Sequence, residues 1–198
     1  MGLRADNLKV HTMVAAWDWP SYMEPEAREK GIKVMVSSYK RQVRNPVSSA
    51  KVNGNYVTSI VALNEALEAG FDEALMLDAE DNVAEGSGEN FFIVKDGVLK
   101  TPDLDASLDG ITRRTIIQLA EGLGIRTEIK KIKLNEVLQS EEAFFTGTAA
   151  EVVPINSIDN LVLGNGSRGP VTETLQSIYF EQVRGLREEN SAWHTYLK

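Results

Sequence analysis

The feature that most limits what this chain can fold into is a hairpin signal near its middle. Asp96-Gly97 separates the apolar run at residues 90–94 from Val98-Leu99-Lys100, and an Asp-Gly pair between two such runs joins antiparallel strands. Around it the pattern is different. Residues 31–39 place Ile32, Val34 and Val36 at alternate positions and read as a strand. From Tyr56 the period changes: Val57, Ile60, Val61, Asn64 and Leu67 recur at three and four, and Gly70 follows where a helix needs a left-handed cap. Strands alternating with helices build parallel pairs, whereas the hairpin forces an antiparallel one, so the sheet must be mixed.

The remaining elements fill in one α/β domain spanning residues 1–198. Residues 9–17 form a largely apolar run and read as a strand, as do 73–77, 125–132 and 142–146. Residues 154–163 hold one or two strands about the turn Asp159-Asn160, and 41–49, with Asn45-Pro46, read as loop. Thr112 is placed to cap a helix at 113–123 whose apolar face is Ile116, Ile117, Leu119, Ala120 and Leu123. Residues 135–139 suit one helical turn, and 172–184 an amphipathic helix.

Composition narrows the function. The net charge is −8, and basic residues cluster only in pairs such as Lys40-Arg41 and Lys130-Lys131, which argues against a nucleic-acid partner. There is no cysteine, and the two histidines, His11 and His194, lie far apart in sequence, so thiolate metal sites are excluded and zinc is not expected. No stretch has the length of a membrane span or the apolar core of a signal peptide. These features fit a cytoplasmic protein.

Four short segments carry residues suited to chemistry. Lys51 sits among Ser48, Ser49 and Ala50 on one side and Gly54-Asn55-Tyr56 on the other, so a bulky group can approach the backbone. A loop lysine is ordinarily a solvated charge; as a nucleophile it needs burial or a nearby cation. Tyr56 suits either a core aromatic opening the next helix or a hydroxyl directed at a ligand. Glu85 lies in the glycine-rich run Glu85-Gly86-Ser87-Gly88-Glu89, where a solvated acid is the default and Glu89 competes for any role. Gly110-Ile111-Thr112 opens a helix, so its free amides suit an anion as well as an ordinary cap. Small residues in Gly147-Thr148-Ala149-Ala150 expose amides in the same way. Trp17, Trp19 and Tyr22 form an aromatic cluster that belongs either to the core or to the wall of an apolar pocket.

In this order the segments resemble the class IV aminotransferases, pyridoxal-phosphate enzymes of fold type IV, and within them the bacterial branched-chain amino acid group. The family signature is similar to Glu85 through Asn90, Phe91 and Phe92, then Thr101, then Gly110-Ile111-Thr112-Arg113. Ser49-Ala50-Lys51 with Gly54-Asn55-Tyr56 resembles its lysine segment, and residues 145–151 its late substrate turn.

The resemblance implies a mixed, partly barrel-like sheet with flanking helices, the large domain of the D-amino acid aminotransferase-like fold. It implies pyridoxal 5′-phosphate as cofactor, with Lys51 as the lysine that condenses with it and shuttles protons. Glu85 would face the ring nitrogen, Tyr56 the 3′-oxygen and Leu108 the ring face, while Ile111, Thr112 and Thr148 hold the phosphate. Thr148, Ala149 and Ala150 would receive the substrate carboxylate, with Trp19, Tyr22 and Tyr56 around the side chain. The implied reaction transfers an amino group between leucine, isoleucine or valine and 2-oxoglutarate, in a homo-oligomer. Aminodeoxychorismate lyase, D-amino acid transfer and a non-catalytic cofactor-domain fragment stay open as alternatives. Family members carry a smaller N-terminal domain ahead of the segment matching Met1, with an arginine for the phosphate, and this chain is expected to be the large domain without it.

Overall fold

The computed structural model describes residues 6, 8–19, 24–42 and 50–196. Among these described residues, nine strands form one mixed sheet: β1 (Ile32–Val36), β2 (Glu73–Leu77), β3 (Val83–Gly86), β4 (Asn90–Lys95), β5 (Val98–Thr101), β6 (Thr127–Ile129), β7 (Glu142–Gly147), β8 (Glu151–Ile158) and β9 (Leu161–Val162). Five helices accompany them: α1 (Ala27–Lys30), α2 (Tyr56–Glu68), α3 (Ile111–Gly122), α4 (Leu134–Val137) and α5 (Pro170–Val183).

The sheet runs β3-β2-β1-β8-β7-β4-β5-β6, and a further pairing between β3 and β4 closes its first six strands into a barrel. β1 is parallel to both β2 and β8, and β5 is parallel to β6. The β4–β5 hairpin is antiparallel, with Asp96 at φ 52° and Gly97 at φ 69°, as a turn with two left-handed central residues requires. The mixed, partly barrel-like α/β fold expected from the sequence is therefore the fold observed.

Strands β2, β3, β4, β7 and β8 are largely buried on both faces, and side chains of β4, β7 and β8 alternate between two cores. Phe91, Ile93, Phe145, Val153 and Ile155 point into the barrel, where the rings of Phe91 and Phe145 meet edge to face at 5.7 Å. Phe92, Val94, Phe144 and Val152 point outward beneath Ile116, Leu119 and Ala120 of α3 and Leu175 and Tyr179 of α5. Phe92 and Phe144 stack at 5.0 Å. A third, smaller core packs Ala62 and Ala66 of α2 on Ala74 and Met76. The stripe that reveals α2 in the sequence is thus not the face it buries: Val57, Ile60 and Leu67 are exposed, and the small residues meet the sheet.

Three expectations need correction. Residues 9–17 are not a strand: residues 8–19 have no regular structure, and Val10 and Val14 are more than nine-tenths exposed. Apolar composition favours a strand only where a neighbouring edge supplies ladder partners, and no described strand pairs with this segment. Thr112 is not the cap of α3; Gly110 occupies that position without a side-chain cap, and Thr112 is buried in the first turn. Glu85 lies on a strand, β3, rather than in the turn that follows it. Most of the expected loop at 41–49, and Tyr22, fall outside the described residues.

Candidate functional site

The lysine segment and α2 meet the barrel mouth, and two cavities open on either side of them. Lys51 and Tyr56 line both. The smaller cavity, about 100 Å³, is bounded by Arg41, Asn55, Ser107 and Leu108. The larger, about 790 Å³, is bounded by Trp19, Gly88, Glu89 and the turn Gly147–Glu151. Lys51 is exposed and Tyr56 half-buried. Lys51, Tyr56, Leu108, Thr148, Ala149, Ala150 and Trp19 therefore gather around this pair of cavities. Ile111 and Thr112 do not line them; they border a third hollow between α3 and α5, which Thr148 also touches.

Glu85 stands one layer behind the smaller cavity. Its Oε1 accepts from Nε of Arg41 at 2.7 Å and from the same guanidinium through Nη2. Its Oε2 accepts from the Leu108 amide at 2.8 Å and from Asn90 Nδ2 at 3.3 Å. Arg41 is fixed in turn by the Asn55 carbonyl and the Ser59 hydroxyl, each 3.2 Å from Nη1. A buried carboxylate with a guanidinium and an amide on its two oxygens is held ionised. The loop after β5 is clamped against β3 and β4 by this set: Ser107 Oγ donates to the Ala84 carbonyl at 2.8 Å, and Asn90 Nδ2 to the Leu108 carbonyl at 2.7 Å. Gly110 gives Asn90 its room here, since a Cβ would overlap Asn90 Oδ1.

Glu89, four residues on, is equally buried but differently partnered. It shares a side-chain hydrogen bond with Glu73, a carboxyl from β2 that accepts from the Ala74 amide at 2.7 Å. Burial, then the Glu73 charge, pushes the Glu89 carboxyl up to about 8. Burial likewise raises Glu73.

The turn at residues 148–150 ends at Glu151, which takes a left-handed φ of 64°, a conformation that costs a residue with a Cβ of order 1 kcal/mol or more unless held from outside. Arg28 holds it, 2.6 Å from Glu151 Oε2. At the start of α3 the first-turn amides have no intrahelical acceptor, and Tyr179 bonds the Thr112 side chain.

Sequence reasoning missed Arg41, Asn90 and Glu73. Glu73 carried a signal, an acid opening the otherwise apolar run Ala74-Leu75-Met76-Leu77. Arg41 carried none, because its partner lies 44 positions away.

A family model for amino-transferase class IV matches residues 2–158. The chain belongs to the class IV aminotransferases. Among curated members, the branched-chain-amino-acid aminotransferase of Pseudomonas aeruginosa is 53% identical over 199 residues, covering 100% of this chain and 65% of that protein. That of Escherichia coli is 41% identical over 183 residues, covering 91% and 59%. The chain thus spans less than two thirds of the length of either. Among solved structures, the branched-chain aminotransferase of Thermobaculum terrenum in its PLP-bound holo form superposes with a TM-score of 0.79 at 39% identity, covering 83% of this chain and 54% of that one. The Escherichia coli enzyme superposes with a TM-score of 0.86, covering 90% and 60%. Among the described residues of this class IV chain, no helix is long and apolar enough to cross a membrane.

Proposed function

We propose that this chain is the cofactor-binding domain of a branched-chain amino acid aminotransferase, moving an amino group between leucine, isoleucine or valine and 2-oxoglutarate. One observation carries the reading: the same lysine and tyrosine, Lys51 and Tyr56, wall two cavities with different ends. One ends at Arg41 and Leu108, both bonded to the buried carboxylate of Glu85. The other ends at the turn of Thr148, Ala149 and Ala150.

The amine of Lys51 and the acid of Glu85 behind it suit pyridoxal phosphate, and the first-turn amides of α3 at Ile111 and Thr112 border the adjoining hollow, which shares Thr148 with the larger cavity. When bound, that cofactor supplies the electron sink and carries the amino group. In this reading Lys51 Nζ holds the cofactor, takes the proton from the substrate α-carbon, and returns one to the product side. Glu85, kept ionised by Arg41, would hold the ring nitrogen protonated. Tyr56 would offer its hydroxyl to the ring oxygen, and Leu108 would pack on the ring. Ile111, Thr112 and Thr148 would hold the phosphate through amides and hydroxyls. The turn at 148–150 would orient the substrate carboxylate, while Trp19 and Tyr56, which line the same cavity, would flank a branched side chain. The exposed apolar face of α2, with Val57 62% and Ile60 57% exposed, supports a homo-oligomer.

The test is release of branched 2-oxo acids from L-leucine, L-isoleucine and L-valine with 2-oxoglutarate as acceptor. Turnover by this chain that disappears in Lys51→Ala is the expected outcome. Turnover confined to D-amino acids, or none with bound cofactor, contradicts it.

A further inference from the structure

Two carboxyls that hydrogen-bond to each other through their side chains can do so only if one of them keeps its proton. Glu73 and Glu89 are such a pair. They are 1% and 6% exposed, and among the described residues no salt bridge reaches either. Glu73 is the acceptor: the Ala74 amide donates to it at 2.7 Å and the Ser87 amide at 3.4 Å. Glu89 is the donor, with its Oε2 left to accept the Gly88 amide at 3.0 Å.

The position of Glu89 gives that proton a consequence. It lines the larger cavity together with Lys51, Tyr56 and residues 147–151. Its side chain lies against the head of the substrate turn, since a Cβ on Gly147 would sit 3.6 Å from Glu89 Cγ. The other charged groups around it are accounted for. Glu85, on β3, is bound to Arg41, and Glu151, across the cavity, to Arg28. Lys51 and the Tyr56 hydroxyl face the same space. An ionised Glu89 would add an unpaired negative charge beside amides suited to a carboxylate, and like charges in a partly dry cavity exclude each other.

We propose that Glu89 is a specificity-determining residue that works as a neutral acid. Burial beside the Glu73 carboxyl keeps it protonated, and that neutrality lets the cavity admit carboxylate ligands. The inference rests on the carboxylate-binding reading of the Thr148–Ala150 turn given above.

Two measurements on the full chain supplied with pyridoxal phosphate test it. With ¹³C-labelled glutamate, isotope-edited infrared spectra should show a protonated-carboxyl stretch at pH 7 that fades above pH 8 and is missing in Glu89→Gln. Calorimetric titration with 4-methylvaleric acid, a branched carboxylate that cannot react, should show affinity falling about tenfold per pH unit above the Glu89 transition, as linkage to one proton requires. In Glu89→Gln the affinity should stay within about twofold of its neutral-pH value over the same range, because its amide cannot ionise. The two proteins share every other group around the cavity, so the difference between them isolates position 89. Absence of the infrared band at pH 7 overturns the shared proton. An equal alkaline loss of affinity in both proteins overturns the role of Glu89 and leaves the aminotransferase reading standing. No affinity at any pH, with the band present, overturns the carboxylate reading of the cavity and this inference with it.

Discussion

Glu85 and Glu89 stand on the two arms of one tight turn, four residues apart and almost equally buried at 4% and 6% exposure. They hold opposite charge states. Glu85 faces a guanidinium and a backbone amide and keeps its negative charge. Glu89 faces another carboxyl and keeps its proton. Burial alone would drive both toward the neutral form; the partner decides. The sequence places the two acids in one motif, but the fold turns one toward Arg41 and the other toward Glu73 of β2.

The largest effect expected on stability comes from removing the Arg41 guanidinium. Replacing Arg41 by Met takes both of its hydrogen bonds from the buried Glu85 carboxylate, which should lower unfolding free energy by about 3 kcal/mol in urea titration. Adding Glu85→Gln to that variant should restore much of the loss. If the single variant unfolds like the parent, the charged state assigned to Glu85 is wrong.

Gly110→Ala comes next. Its new Cβ must displace Asn90 Oδ1, which loosens the clamp between the 102–110 loop and β3. Overpacking of this kind costs about 2 kcal/mol, and thermal unfolding would register it. Gly88→Ala is the matched control, because nothing lies within 4 Å of a Cβ there.

On the other side of the comparison, Glu89→Gln should stabilise the chain, and the sign follows from linkage. The folded state holds the Glu89 proton up to about pH 8, whereas the unfolded chain releases it near the ordinary carboxylate value. Between those two values the folded state binds more protons, so this contribution to stability is fully present below about pH 4.5 and is lost as pH rises to about 8. The glutamine variant lacks that slope. Its denaturation midpoint should match the parent at low pH and exceed it by roughly 1–3 kcal/mol equivalent near pH 8. A constant gap across pH would place the titrating group elsewhere.

Lys51→Ala should have the smallest effect, within about 0.5 kcal/mol, because Lys51 is exposed.

How much of this was legible in the sequence differs between local and distant features. The Asp96-Gly97 hairpin, the start of α2 at Tyr56 and the β8–β9 turn at Asp159-Asn160 were readable because each is fixed by neighbours in the chain. The strand expected at residues 9–17 failed because a strand is defined by a partner, and an apolar run does not name one. β3 escaped notice because Val83-Ala84-Glu85-Gly86 is short and half polar, with its strand character supplied by β2 and β4. The lysine segment and the two turns around the cavities were identifiable from residue type and order. The network that sets their charge was not, since Arg41 reaches Glu85 across 44 positions and Glu73 reaches Glu89 from a different strand.

The central claim is that Lys51 carries the amine chemistry of this site, and covalent capture tests it most directly. Pyridoxal phosphate added to the chain, followed by borohydride reduction and peptide mapping, should place a single phosphopyridoxyl group on Lys51 Nζ, with none fixed in Lys51→Ala. A label spread over several surface lysines, or fixation undiminished in that variant, would contradict the account.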